Sequence, residues 1–200
     1  LMENAGRSMA EAVIRCCERS NARKRPTAAI FCGKGNNGGD GLACARYLIT
    51  NKIKTAIYIC TDKSFLKGDS LTNLRILYSY GIKPHFTTTR KSFDRLKKNF
   101  IAGIIVDAIF GIGFTGKATG IYKDIIEFIN AQGAYILAVD TPSGLNATTG
   151  KVDGLCVMAD NTIACGFAKK GFYKREGPEH CGRVSVVDIG LPEELTRGRR

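Results

Sequence analysis

Ala28-Ala29-Ile30-Phe31-Cys32, followed directly by Gly33-Lys34-Gly35-Asn36-Asn37-Gly38-Gly39-Asp40-Gly41, decides the fold. Five apolar residues in a row have strand length, and no polar residue alternates with them. Such a run belongs to a strand covered on both faces. The glycine-rich stretch then opens a helical pattern over 41–50. Strand, loop and helix in that order make the first half of a βαβ unit.

The same alternation extends outward. Apolar runs recur at 55–60, 103–107 and Tyr135–Val139, with shorter ones at 83–86, Asn161–Cys165 and 184–188. Leu71, Leu74, Leu77 and Tyr78 mark one helix between them, and Tyr122, Ile125, Ile126 and Ile129 another. Upstream, Met2, Ala5, Met9, Val13 and Cys16 recur at helical spacing, with Glu3, Arg7 and Glu11 on another face. That predicts an amphipathic helix of about five turns. The expected class is α/β: a three-layer αβα Rossmann-like fold with a mostly parallel central sheet, in one domain over 1–200.

Composition agrees with a globular chain. At 200 residues it can bury roughly 70% of its unfolded surface. Its 44% hydrophobic and 24% charged residues exclude disorder. Thirty Lys and Arg against 18 Asp and Glu give a net charge of +12, which suits an anionic partner. The charge is scattered apart from Arg23-Lys24-Arg25, closed by Pro26, and the 197–200 tail. No RNA-binding motif with interleaved aromatics is recognisable, so no nucleic-acid partner is expected.

Eight cysteines form no CxxC pair, and Cys32, Cys60 and Cys165 sit in apolar runs. They read as buried thiols of a reducing compartment, the cytoplasm, and not as a zinc site or disulfide framework. Two histidines, His85 and His180, are too few for a His-based metal site. The longest apolar stretch, 101–114, carries Asp107 and is too short to span a bilayer, so no membrane association is expected. There is no signal-peptide pattern, and a start at Leu1 implies residues removed upstream.

In such folds ligands bind at the carboxyl ends of the strands, near the point where the strand order reverses. Three loops there carry chemistry. The Gly33–Gly41 loop contains G-x-G-x-x-G after a strand, a dinucleotide-binding pattern. Asp40 at the helix start argues against an ordinary pyrophosphate turn; alternatively it is a plain N-cap, worth about 1 kcal/mol. No acid follows some 20 residues on, Asp62 being late.

The second loop is Asp107-Ala108-Ile109-Phe110-Gly111-Ile112-Gly113-Phe114-Thr115-Gly116-Lys117. Asp107 ends an apolar run and needs a cation or a donor beside it. The third is Val139-Asp140-Thr141-Pro142-Ser143-Gly144-Leu145, a turn that presents Ser143. Asp40, Asp107 and Asp140 are thus expected on one rim, either holding a hard cation such as Mg²⁺, Ca²⁺ or K⁺, or acting as three independent caps. Lys169 or Lys170, in Gly166-Phe167-Ala168-Lys169-Lys170-Gly171, is expected to face a ligand. A G-x-S-x-G elbow and a GxxxxGK[ST] loop are both absent, which disfavours serine hydrolysis and P-loop chemistry.

At these residues the chain resembles the NAD(P)H-hydrate epimerases. The motifs are Met2-Glu3-Asn4-Ala5-Gly6, the Asn-Asn-Gly-Gly-Asp string, Asp107-Ala108-Ile109-Phe110-Gly111 and Asp140-Thr141-Pro142-Ser143-Gly144-Leu145. They continue with Gly166-x-x-Lys169-x-Gly171 and Val187-Asp188-Ile189-Gly190-Leu191-Pro192. The resemblance implies epimerisation of the R and S hydrates of NADH and NADPH, with no redox cofactor.

By motif, it also implies that Asn36, Asn37, Gly38, Gly39 and Asp40, with 111–117, line the substrate site. Asp140 would contact the hydrated ring as acid or base, with Lys169 as a second proton-transfer or phosphate group. Asn37, Asp107 and Ser143 would hold one K⁺ per subunit. The implied partner is an ADP- or ATP-dependent dehydratase, fused carboxyl-terminally in many bacterial members, and the chain ends about where such a fusion would begin. A homodimer is expected, with the amino-terminal helix as a candidate interface. Thr141 and Ile112 depart from the pattern, which has an aliphatic residue before Pro142 and often a Thr at 112.

Two other readings compete. One is a non-catalytic binding or dimerisation scaffold of the same fold, associated with RNA; it has no need of three rim carboxylates. The other is an NAD-dependent dehydrogenase, disfavoured by the missing acid.

Overall fold

The apolar runs fold as seven strands, joined by helices that cover both faces. The structure, a computed structural model, describes residues 1–19, 27–192 and 194. Strand β1 is Ala28–Cys32, β2 Thr55–Ile59, β3 His85–Phe86 and β4 Ile104–Ala108. Strand β5 is Tyr135–Val139, β6 Asn161–Cys165 and β7 Arg183–Val187. The helices are α1 (Met2–Arg19), α2 (Asn36–Thr50), α3 (Gly68–Ser79), α4 (Arg90–Asn99), α5 (Ile121–Asn130) and α6 (Gly177–Cys181). Arg23-Lys24-Arg25, Pro26 and the 197–200 tail lie outside the described residues.

The sheet runs β3-β2-β1-β4-β5-β6-β7, and every pairing between its strands is parallel. "Mostly parallel" is thus an understatement. The order reverses between β1 and β4, which places the topological switch point between their carboxyl ends.

Side chains alternate across the strands and fill two main cores, with a smaller cluster of Leu145, Cys156, Ala164, Phe172 and Cys181 beside them. Ile30, Ile57, Val106 and Leu137 meet Met9 and Val13 of α1, Leu42 and Leu48 of α2, and Leu74 and Leu77 of α3. Phe31, Tyr58, Ile105 and Ala138 meet Phe93 and Leu96 of α4 and Ile125, Ile126 and Ile129 of α5. Ala5, Met9, Val13 and Cys17 are buried inside this chain's own core. The apolar stripe of α1 is therefore occupied within the protomer. Among the described residues no helix is long and apolar enough to cross a membrane.

Two elements differ from expectation. Helix α4 was not foreseen: its sequence is strongly polar and only Phe93 and Leu96 are buried. It is started by a capping box in which Thr89 accepts from the Ser92 N–H and the Ser92 hydroxyl accepts from the Thr89 N–H. Helix α2 begins at Asn36, five residues before the predicted start at 41, with Gly35 as N-cap. Asp40 lies in its second turn, so the N-cap reading of Asp40 is wrong.

Glycine inside a helix costs up to about 1 kcal/mol relative to alanine. Here close approach is the compensation. A Cβ at Gly38 would stand 2.0 Å from the Gly33 carbonyl oxygen, and one at Gly41 2.6 Å from the Ala108 Cβ. The first turns of α2 lie against β1 and β4 with no room for a side chain. Gly38→Ala is expected to lower the unfolding free energy by about 2–3 kcal/mol, the range for overpacking a core. The shift in a urea unfolding midpoint measures it, and an unchanged midpoint would mean that α2 can move away.

Candidate active site

The loops after β1 and β4 diverge at the switch point and open a cavity of about 690 Å³. That volume suits a small ligand. Its wall is formed by Lys34 to Asn37, Asp40, Ile109 to Thr115, and Asp140. Of the expected lining residues, Asn36, Asn37, Asp40, Gly111, Ile112, Gly113, Phe114, Thr115 and Asp140 meet here. Gly38, Gly39, Gly116 and Lys117 do not. Gly38 and Gly39 are buried behind the wall, and a Cβ on Gly39 would collide with Met2 and Ser70. Gly116 makes a turn at φ +84°, and Lys117 is exposed with its stem near Gly154. Phe110 stacks on Phe114 with ring centroids 4.4 Å apart, an aromatic pair at the cavity side.

Asp140 sits where β5 ends, in the left-handed region at φ +62°. A non-glycine residue held there is strained by about 1–3 kcal/mol, and such residues cluster at functional sites. Its Oδ1 accepts from the Cys165 N–H at 3.0 Å and from the Lys169 ammonium. Lys169 Nζ also donates to the Cys165 carbonyl at 3.1 Å. The loops after β5 and β6 are therefore cross-tied through one ion pair, with both side chains at least 85% buried.

Asp107 belongs to β4 itself and points to the α4–α5 face, between Val106 and Ala108 of the other core. It is fully buried and takes no part in the cavity wall. The single rim of three carboxylates is therefore not formed: Asp40 and Asp140 share the cavity and Asp107 stands apart. The donor that Asp107 needs is Ser143, also fully buried. Asp107 Oδ1 accepts from the Ser143 hydroxyl at 2.6 Å and Oδ2 from the Ser143 N–H at 2.8 Å. Burial pushes the Asp107 carboxyl up to about 6, opposed by the Ser143 and Ile109 hydrogen bonds.

The chain of contacts continues to the helix. Ser143 Oγ accepts from the Phe110 N–H at 2.8 Å, and Asn37 Nδ2 donates to the Phe110 carbonyl at 2.8 Å. Asn37 Oδ1 is buried with no partner. A buried carbonyl oxygen without a donor is costly unless something positive meets it. Asn37, Asp107 and Ser143 thus form one bonded set, with Phe110 as the link that sequence reasoning missed. Its oxygens suit a hard cation. Among the described residues no cluster of three His, Cys, Asp or Glu could hold a metal ion.

Asp40 is largely buried beside Asp140. Desolvation first, and the Asp140 charge second, lift its carboxyl from the usual range to about 7. Thr141, next to Asp140, is fully buried, and its hydroxyl has no partner.

The fold and the switch-point cavity define an α/β protein of Rossmann-like topology whose ligand site is built from asparagine, glycine and carboxylates. Residues 1–171 match the family model described as YjeF-related protein N-terminus, and the chain belongs to that family. It is 40% identical to an NAD(P)H-hydrate epimerase of Elusimicrobium minutum, over 98% of this chain and 86% of the relative. It is 38% identical to a bifunctional NAD(P)H-hydrate repair enzyme of Moorella thermoacetica, over 98% of this chain but only 37% of the relative. The crystal structure of the yeast protein ynu0 aligns with a TM-score of 0.76 at 24% identity, covering 96% of this chain and 79% of that one. That likeness shows the fold.

Two stability outcomes follow from these environments. Thr141→Val replaces an unpartnered buried hydroxyl by a methyl group and is expected to stabilise the fold by about 1–2 kcal/mol, measured by urea denaturation. Asp40 binds its proton more tightly folded than unfolded, so stability falls as pH rises from about 4 to about 7 and then levels. Asp40→Asn is expected to exceed wild type by about 1–2 kcal/mol at about pH 8, with the gap closing toward about pH 4. Parallel unfolding curves over that window check the sign.

Proposed function

We propose that this chain interconverts the R and S epimers of hydrated NADH and NADPH, an isomerase reaction in nicotinamide-cofactor repair. The observation that carries the reading is Asp140 on the wall of the switch-point cavity, held by an ion pair to Lys169. The reacting hydroxyl of such a hydrate is bonded to a ring carbon next to nitrogen. The nitrogen lone pair helps to expel it, by loss of water or by ring opening. Either route needs a group that moves a proton at that hydroxyl, and such help is typically worth 10²–10⁴-fold.

Asp140 is that group in our reading. One of its oxygens is fixed by Lys169 and the Cys165 N–H, and the residue lines the cavity. Lys169 orients it and stands close enough to exchange a proton with it. Asn36, Asp40 and 111–115 would surround the substrate. Gly38 and Gly39 would act by setting how deeply α2 sits, and Lys117 from outside the cavity.

Asn37, Asp107 and Ser143 would hold one K⁺, a fit supported by the orphaned Asn37 Oδ1 and the all-oxygen donor set. A bound K⁺ would supply positive charge beside the buried Asp107. No redox cofactor is needed, since the reaction transfers no electrons. We further propose that the chain works in the cytoplasm as a homodimer, alongside an ADP- or ATP-dependent dehydratase. Relatives named as bifunctional repair enzymes, of which this chain spans 37% in the Moorella case, support that pairing.

A coupled assay tests the proposal. Both hydrate epimers are supplied to an S-specific dehydratase and its nucleotide, and NADH formation is followed with and without this protein. The slow R fraction is expected to vanish in K⁺ buffer. Asp140→Asn is expected to lower kcat by 10²–10⁴-fold. A slow phase left unchanged by the wild-type chain, while a known epimerase abolishes it, would refute the activity.

A further inference from the structure

Two carboxyl groups share the switch-point cavity, and they are built in opposite ways. Asp140, at the end of β5, is tied to Lys169 and to a backbone N–H. Asp40, on α2, makes no hydrogen bond or ion pair with any described side chain. It stands between the main cavity and a smaller recess of about 230 Å³ lined by Leu1, Met2, Asp69 and Cys165. The charged and titratable groups around it are Asp140 just after β5, Asp69 from α3, Cys165 from β6 and Cys44 on α2 itself.

A carboxylate in such a place is costly, because burial strips its water and a second carboxylate stands nearby. Buried carboxylates are ordinarily paired with a cation; Lys169 is paired with Asp140. Paired carboxyls whose surroundings push them apart in acidity divide the roles of acid and base between them. Epimerisation needs such a division, since the hydroxyl leaves one face of the ring and water adds to the other.

We infer that Asp40 is a second acid–base residue of this site, entering as the neutral acid that protonates the departing hydroxyl, while Asp140 takes the proton from the incoming water. The inference rests on the epimerase reading above. The ring C–O bond breaks with its electron pair on oxygen, and the Asp40 proton makes the departing group water. The nitrogen lone pair becomes the second bond of a C=N iminium. Water then adds to the opposite face through its own lone pair, the C=N pair returns to nitrogen, and the Asp140 carboxylate accepts the surplus proton. The site is left with Asp40 ionised and Asp140 protonated, which is the state that the reverse epimerisation uses. The raised pKa of Asp40 given above is in keeping with a group that is substantially protonated near neutrality.

The test compares wild type, Asp40→Asn, Asp40→Glu and Asp140→Asn in K⁺ buffer between about pH 5 and 9. Wild-type kcat is expected to fall as pH rises through about 7, where Asp40 loses its proton. Asp40→Asn is expected to lose 10²–10⁴-fold in kcat and to lose that alkaline limb, with KM within about threefold. Asp40→Glu, which restores an acid, is expected to recover part of the rate together with the limb. Infrared difference spectra provide a second readout: a protonated-carboxyl carbonyl signal lost through about pH 7 is expected in wild type and absent from Asp40→Asn, in which only the Asp107 signal, lost through about pH 6, remains. A folded Asp40→Asn enzyme with the wild-type alkaline limb, or with kcat within about threefold of wild type, overturns the inference and leaves the epimerase reading standing. A wild-type chain with no epimerase activity removes both.

Discussion

Everything at the site depends on how near α2 lies to the sheet. Gly38 meets the Gly33 carbonyl and Gly41 meets Ala108 with no side chain between them. This contact brings the helix start down to the level of the loop after β4, so that Asn37 can reach the Phe110 carbonyl. From Phe110 the bonds run to Ser143 and on to Asp107. A helix displaced by one methyl group would break the first of these links. The propensity lost to glycine, up to about 1 kcal/mol per residue, is offset by contacts that no other residue permits.

The strands were largely legible because a doubly covered parallel strand is written as a plain apolar run. Ala28–Cys32, Tyr135–Val139 and Asn161–Cys165 match their predicted bounds, and the other four differ by one or two residues at one or both ends. Helix α4 was not legible from periodicity, as two buried residues in ten make a thin stripe; its signal lay in the Thr89–Ser92 cap. The start of α2 was hidden because Gly38 and Gly39 read as loop until the strand beneath them is known.

The site was legible in its residue types and less so in its layout. The loops with Asp40 and Asp140 were found, and these two do meet. Asp107 was placed on the same rim because sequence shows that it ends a run and not which way it faces. Its position between Val106 and Ala108 sends it to the other side of the sheet. The bond from Asp107 to Ser143 joins residues 36 apart, and the Phe110 link is made by backbone atoms that no side-chain motif records. The unpartnered Thr141 hydroxyl falls where the family pattern prefers an aliphatic residue, so a departure visible in the sequence has a visible physical cost.

Burial also governs how this molecule meets oxidants. Peroxides attack the thiolate, not the thiol. Desolvation raises the pKa values of Cys32, Cys44, Cys60 and Cys156 far above the ordinary thiol range, that of Cys165 to about 12 and that of Cys181 to about 11. Near neutrality these side chains carry almost no negative sulfur. A chain with eight cysteines therefore holds most of its sulfur chemically silent, and Cys165 can lie beside the Asp140–Lys169 pair without offering it a competing nucleophile.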